Sequence, residues 1–181
     1  MHRTPLLELL SSYAARHPGE LEITNRFFDF VLAEEDCFRR ELLIGHITGS
    51  AWVMDKAGSS VLLTHHRKLD IWVQLGGHCD GDPDVLAVSL REAEEESGLS
   101  KIESASTEIF DLDIHTIPQR GDVPEHLHYD VRFVFRHLGD GDYSVSHESH
   151  DLAWVPLDQI HDYTNEPDMT RMKQKWRQTH S

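Results

Sequence analysis

The apolar positions of this chain change period twice. From Thr4, the residues Leu6, Leu7, Leu9, Leu10 and Tyr13 recur at helical spacing, with Thr4-Pro5 as N-cap and first-turn proline. His17-Pro18-Gly19 breaks that helix, and a second from Glu20 carries Ile23, Phe27, Phe30 and Val31 on one side. Both helices are amphipathic, so each must cover something, either the main domain or a partner subunit.

From Ile47 the period falls to two. Residues 50–54 and 60–64 read as strands joined by a turn at Lys56-Ala57-Gly58, and residues 71–75 as a third strand, ended by Gly76-Gly77. A helix follows, with Asp82 to cap it, Pro83 at its first position and Gly98 at its exit. Residues 108–115 and 126–135 are two further strands. The second alternates strictly: Leu127, Tyr129, Val131, Phe133 and Phe135 fall on one face, and His126, His128, Asp130 and Arg132 on the other. Residues 152–155 form a short last strand, and residues 156–160 and 168–177 supply closing helices. Mixed strands around one central helix, flanked by helices, predict an α/β sandwich.

Composition adds limits. With 181 residues, 39% hydrophobic and 27% charged, the chain suits one domain with a real core and a short appendage. No apolar run reaches the length of a membrane span and the N-terminus carries no signal-peptide pattern, so the expected location is the cytoplasm. Cys37 and Cys79 are expected to be reduced thiols. The formal charge of −15 argues against nucleic-acid polymers as partners. It leaves room for a small phosphorylated ligand, because a divalent cation reverses the local sign of a site.

The acidic run in Arg91-Glu92-Ala93-Glu94-Glu95-Glu96 is the sharpest candidate for chemistry. On a helix at about 100° per residue, Glu92, Glu95 and Glu96 share one stripe, being related as i, i+3 and i+4. Three carboxylates near a helix C-terminus repel one another and oppose the dipole. A solvated acidic face is the ordinary reading of such a run. The alternative is a set of oxygen donors for a hard cation, Mg²⁺ or Mn²⁺, placed beside a Gly-Gly at a strand end.

The stretch from Gly77 to Leu99 resembles the Nudix box. Arg91-Glu92-Ala93-Glu94-Glu95-Glu96-Ser97-Gly98-Leu99 matches the second half of that motif, and Gly77 sits at the position where the box begins. Two positions depart from it: Pro83 stands where the box has a glutamate, and Ala93 is small for the aliphatic position. The resemblance implies an α/β Nudix-type α/β/α sandwich with a mixed β-sheet over residues 46–181, and an N-terminal helical extension over residues 1–45. It also implies hydrolysis of a nucleoside diphosphate linked to another moiety, with Mg²⁺ or Mn²⁺. Glu92, Glu95, Glu96 and the Gly76 carbonyl would hold metal, Arg91 would orient a glutamate, and Glu92 would serve as base. Some members take the base from outside the box, and Glu148 and Asp151 are the outside candidates. A homodimer fits the family and the amphipathic helices.

Histidines add a second candidate. His115, His126 and His128 lie on polar strand faces with Asp111, Asp113 and Asp130, where they can contact phosphate, bind a transition metal such as Zn²⁺, or line a solvated sheet. Arg67 and Lys68, in a turn after His65-His66, are candidate cations for phosphate. Two other readings use the same residues. Loss of the box glutamate suits a non-catalytic nucleotide-binding module, and His78-Cys79 suits an isomerase of prenyl diphosphates.

Overall fold

The alternating run that begins at His126 forms the middle of the molecule. In a computed structural model, which describes residues 2–147 and 149–179, β7 (His126–His137) runs parallel to β1 (Gly45–Met54). His46 lies opposite His128, Thr48 opposite Asp130 and Ser50 opposite Arg132. Around this pair are β2 (Ser60–His66), β3 (Ile71–Val73), β4 (Leu75–His78), β5 (Ile102–Ser104), β6 (Asp111–Ile117) and β8 (Ser149–Pro156). Together they make one mixed sheet among the described residues, ordered β3-β2-β1-β7-β5, with β4 on β1, β6 on β7 and β8 on β2.

Period-two alternation sorts the strands' side chains into two cores. On one face Ile47, Ala51, Tyr129, Val131, Phe133 and Phe135 meet α1 (Thr4–Arg16), α2 (Leu21–Ala33) and α3 (Val85–Ser97) through Leu6, Leu10, Phe27, Phe30, Val88 and Ala93. On the other, Trp52, Met54 and Val134 meet Ile160 from α4 (Ile160–Tyr163) and Met169, Met172 and Trp176 from α5 (Pro167–Thr179). Each large apolar side chain buried in this way contributes about 1.5–3 kcal/mol.

The N-terminal helices therefore cover the chain's own sheet. Phe30 stacks on Tyr129 with ring centroids 3.9 Å apart, and Phe27 meets the same ring edge-on at 5.3 Å. Lys175 of α5 ties the far end down, donating to the Tyr13 hydroxyl at 2.6 Å and to Glu20 at 2.9 Å. Their apolar faces no longer argue for a partner subunit.

Three local expectations are corrected. Gly76-Gly77 does not end a strand but lies inside β4, where Gly76 pairs with Ser50 and Gly77 with Gly49. The helix cap is Asp84, whose Oδ1 accepts the Ala87 amide at 3.0 Å; Asp82 accepts the Asp84 amide at 3.0 Å instead, forming a turn. Pro83 thus precedes the cap and is not the first helical residue. Gly98 does close α3, in the left-handed conformation (φ +65°) that favours glycine. The short β5 had no counterpart in the sequence reading, and residues 34–44 form turns rather than helix.

Candidate functional site

Strand β4 is a seam with a polar set on each side. On the α3 side, Glu96 accepts the Gly76 amide at 3.3 Å. In an extended strand the amide and carbonyl of one residue point the same way, so the Gly76 carbonyl faces the same open edge. Glu92 lies directly over Gly77: a Cβ there would fall 2.2 Å from Glu92 Oε2 and 2.5 Å from its Cδ. A Cβ on Gly76 would fall 2.3 Å from Ser50 Oγ and 2.8 Å from the Gly49 carbonyl oxygen. The two glycines are therefore what let the strand approach both neighbours. Glu95 is exposed on the same helix stripe, and no basic residue occupies the last turn of α3.

On the opposite side, ladder register builds rows of residues, nearly all polar, across three or four strands. One row is Asp111, Arg132, Ser50 and Gly76; the next is Asp113, Asp130, Thr48 and His78; the third is His115, His128 and His46. The first row is closed by α5. Arg132, 2% exposed, reaches Asp130 at 2.7 Å, Asp111 at 3.1 Å and Asp168 at 2.7 Å. Asp111 also accepts from Arg171 at 2.8 Å and Lys175 at 2.7 Å. Burial works against its charge, but these cations hold its carboxyl below the ordinary range. Asp130 is saturated, accepting also from Thr48, Ser50 and Gln74.

The third row is different in kind. The rings of His46, His78 and His128 lie with centroids 4.7–5.1 Å apart, and His115 and His126 stand 5.4 and 5.3 Å from His128. Burial, reinforced by the neighbouring imidazoles, lowers His46 to about 4 and His128 to about 2. Burial and the Arg40 charge lower His78 to about 4. Among the described residues, neither ring nitrogen of His46 nor Nε2 of His128 has a partner at full hydrogen-bond geometry; the Leu42 backbone lies close enough to His46 to offset part of its shift.

Other expected site residues fall elsewhere. Arg91 donates to Asp82 at 3.4 Å, joining α3 to the loop before it. Arg67 donates to the Ser149 carbonyl at 2.8 Å, and Lys68 is exposed in the turn between β2 and β3. Glu148 lies outside the described residues. Asp151 is exposed on β8, where it accepts the Leu152 amide at 2.8 Å. Cys79 is 1% exposed, and burial above all raises its thiol above the ordinary value.

The sequence reading missed His46 and gave His78 no place on a strand face. Both were legible in alternation. His46, Thr48 and Ser50 are every second residue of β1, although the sequence pattern opens that strand only at Ser50; His78 continues β4 beyond glycines that signal its end.

The NUDIX domain family model matches residues 46–176, most of the chain, and the chain belongs to that family. Solved structures share the fold. A Nudix hydrolase from M. smegmatis, RenU, superposes with a TM-score of 0.56 at 19% identity, covering 75% of this chain and 86% of that one. A C. elegans Ap4A hydrolase in a binary complex gives 0.53 at 17% identity, over 74% and 96%. The NUDIX domain of Shewanella oneidensis NrtR, complexed with ADP ribose, gives 0.50 at 16%, over 75% and 88%. No curated protein sequence matches the chain. Family and fold define the class as a NUDIX-domain protein. No helix among the described residues is long and apolar enough to cross a membrane.

Proposed function

We propose that this chain is a divalent-metal-dependent hydrolase cleaving the diphosphate linkage of a small nucleoside-diphosphate derivative. The observation that carries this reading is the β4–α3 seam. Glu96 engages the Gly76 amide and Glu92 occupies the space a Gly77 side chain would take. These donors are all oxygen, which suits a hard cation. Glu92, Glu95, Glu96 and the Gly76 carbonyl would hold Mg²⁺ or Mn²⁺, which when bound neutralises charge on phosphate oxygens and lowers the pKa of the attacking water.

The chain's own groups supply the rest. Glu92, backed against Gly77, is the candidate base. Arg91 is a positioning residue: through Asp82 it steadies the loop that leads into α3. Of the expected substrate contacts, Arg67 is engaged by the Ser149 carbonyl, and His115 and His126 lie on the sheet face opposite the carboxylates; exposed Lys68 is left as the cation offered to the leaving moiety. The cytoplasmic location is supported by the two free thiols, Cys37 and Cys79.

A panel tests the reading: ADP-ribose, dinucleoside polyphosphates, nucleotide sugars and modified nucleoside triphosphates, each with Mg²⁺ and with Mn²⁺. The C. elegans and NrtR neighbours put the first two at the head of it. Turnover of one is expected. Tight binding of one with no turnover on any would favour the non-catalytic module that Pro83 motivates. The prenyl isomerase reading loses its support, because Cys79 is buried as a neutral thiol.

Gly77→Ala probes the seam directly. Its methyl would displace the flexible end of Glu92 rather than backbone, so the fold is expected to survive. Displacing the carboxylate by about 1 Å should cost about 10²-fold in turnover. Unchanged turnover with an unchanged melting curve would remove Glu92 from the machinery.

A further inference from the structure

We propose that His46, His78 and His128 form a second metal site, for a borderline transition-metal ion of the Zn²⁺ class, on the sheet face opposite the carboxylates. The reading does not depend on the hydrolase assignment. Three strands deliver the ligands by register: His46 faces His128 across β1 and β7, and His78 faces Thr48, one row along. One ligand nitrogen from each of the three lies within 4.8 Å of the others. Tetrahedral Zn–N bonds of about 2.05 Å separate nitrogens by about 3.3 Å, so the rings need to close by about 1.5 Å at most.

Two of the three rings lack what a structural histidine cluster would have. His46 is 2% exposed with both nitrogens unpartnered among the described residues, and His128 Nε2 is orphaned beside it. Buried polar atoms are normally satisfied, and each exception costs about 1–3 kcal/mol. A cation accepts one lone pair from each ring and so removes the part of that cost that falls on the acceptor nitrogens. Neutral imidazole is the form such a cation binds, and the burial of this row favours it. Three nitrogens also discriminate: they suit Zn²⁺, Co²⁺ or Ni²⁺ and serve Mg²⁺ poorly.

The surroundings fit a metal with an open position. His126 Nδ1 donates to the Pro124 carbonyl at 2.9 Å, which orients its ring beside His128. His115 is paired with Asp113 at 3.3 Å. Three protein ligands leave a fourth position for water or for a ligand atom, as in catalytic rather than closed zinc sites. Gly77, which carries Glu92 over it, is the residue next to His78, so the two sites share one strand.

The test uses tag-free full-length protein, stripped of metal and titrated with Zn²⁺ and Co²⁺ in excess Mg²⁺. One Zn²⁺ per chain should survive dialysis, and Co²⁺ should give the visible absorption of a low-coordinate nitrogen site. His128→Gln and His46→Leu should each weaken Zn²⁺ by more than about 100-fold, the most that losing a supporting outer-shell group costs. Glu95→Gln should leave Zn²⁺ affinity unchanged. Metal-free His46→Leu should melt at or above metal-free wild type, since it removes an orphaned imidazole, and Zn²⁺ should raise the midpoint of wild type alone. Zn²⁺ lost on dialysis, or affinity unchanged in both histidine variants, would overturn the site and leave surface histidines as the binders. Hydrolysis failing while Zn²⁺ binding holds would sink only the functional reading.

Discussion

Glu95→Gln and Glu96→Gln are each expected to lower turnover by about 10²–10⁴-fold, the rate equivalent of several kcal/mol of charge stabilisation at the phosphate. The fold should not suffer. Glu95 is exposed, and at position 96 a glutamine carbonyl can still accept the Gly76 amide that Glu96 now accepts at 3.3 Å. Stability should even rise. The last turn of α3 carries clustered carboxylates with no basic residue, against both the dipole and one another. Neutralising one relieves about 0.3–1 kcal/mol in the metal-free protein. Activity and melting temperature are thus expected to move in opposite directions, which plain damage to the helix would not produce. Mn²⁺ titration followed by electron paramagnetic resonance supplies a readout that needs no substrate: affinity should fall in both variants. Wild-type turnover and Mn²⁺ affinity in either would break the metal assignment.

The candidate site was legible where one residue type at one spacing decides the matter. Glu92, Glu95 and Glu96 share a stripe because helix geometry admits no other arrangement, and the structure keeps Ala93 buried behind them. The alternating face of β7 was legible for the same reason. What the sequence concealed depends on pairing between distant segments. That His46 meets His128 follows from the parallel register of β1 on β7, across more than 80 residues of chain, and no local pattern fixes such a register. Gly76-Gly77 misled because glycine weakens a strand locally; here tertiary approach of Ser50 and Glu92 requires it. The cap moved from Asp82 to Asp84 because either aspartate satisfies the sequence rule, and only the helix's packing chooses between them. Likewise Asp111, Asp113 and Asp130, read as companions of the histidines, are claimed by Arg132 and α5. That leaves His46, with both ring nitrogens unpartnered, and His128, with Nε2 unpartnered, as the histidines of this face that the carboxylates do not serve among the described residues.

The same network sets the largest expected loss of stability. Asp111 is fully buried and accepts from Arg132, Arg171 and Lys175, so it joins β6, β7 and α5, and through Lys175 the N-terminal helices. Arg132 is equally buried; burial would favour its neutral form, but four carboxylates led by Asp130 keep it charged. Asp111→Asn keeps the volume and removes the charge, leaving buried cations short of a counter-ion at a cost of about 3–5 kcal/mol at pH 7. Glu108→Gln, which breaks the exposed pair with Arg16, should cost no more than about 1 kcal/mol. Acid separates charge from packing. Asp111 titrates below its unfolded value of 3.8. Burial pushes Asp113 up, but the His115 hydrogen bond and the Arg132 charge bring it down to about 2. A depressed carboxyl contributes stability that is present above the unfolded value and lost as pH falls through the folded one. Wild type should therefore lose stability steeply below about pH 4, whereas Asp111→Asn, lacking one of these groups, should lose it more gently. Denaturant unfolding from pH 7 to pH 2 should show the gap between the two proteins narrowing on acidification. A gap that stayed constant would place the loss in packing and leave the buried charge without a part in it.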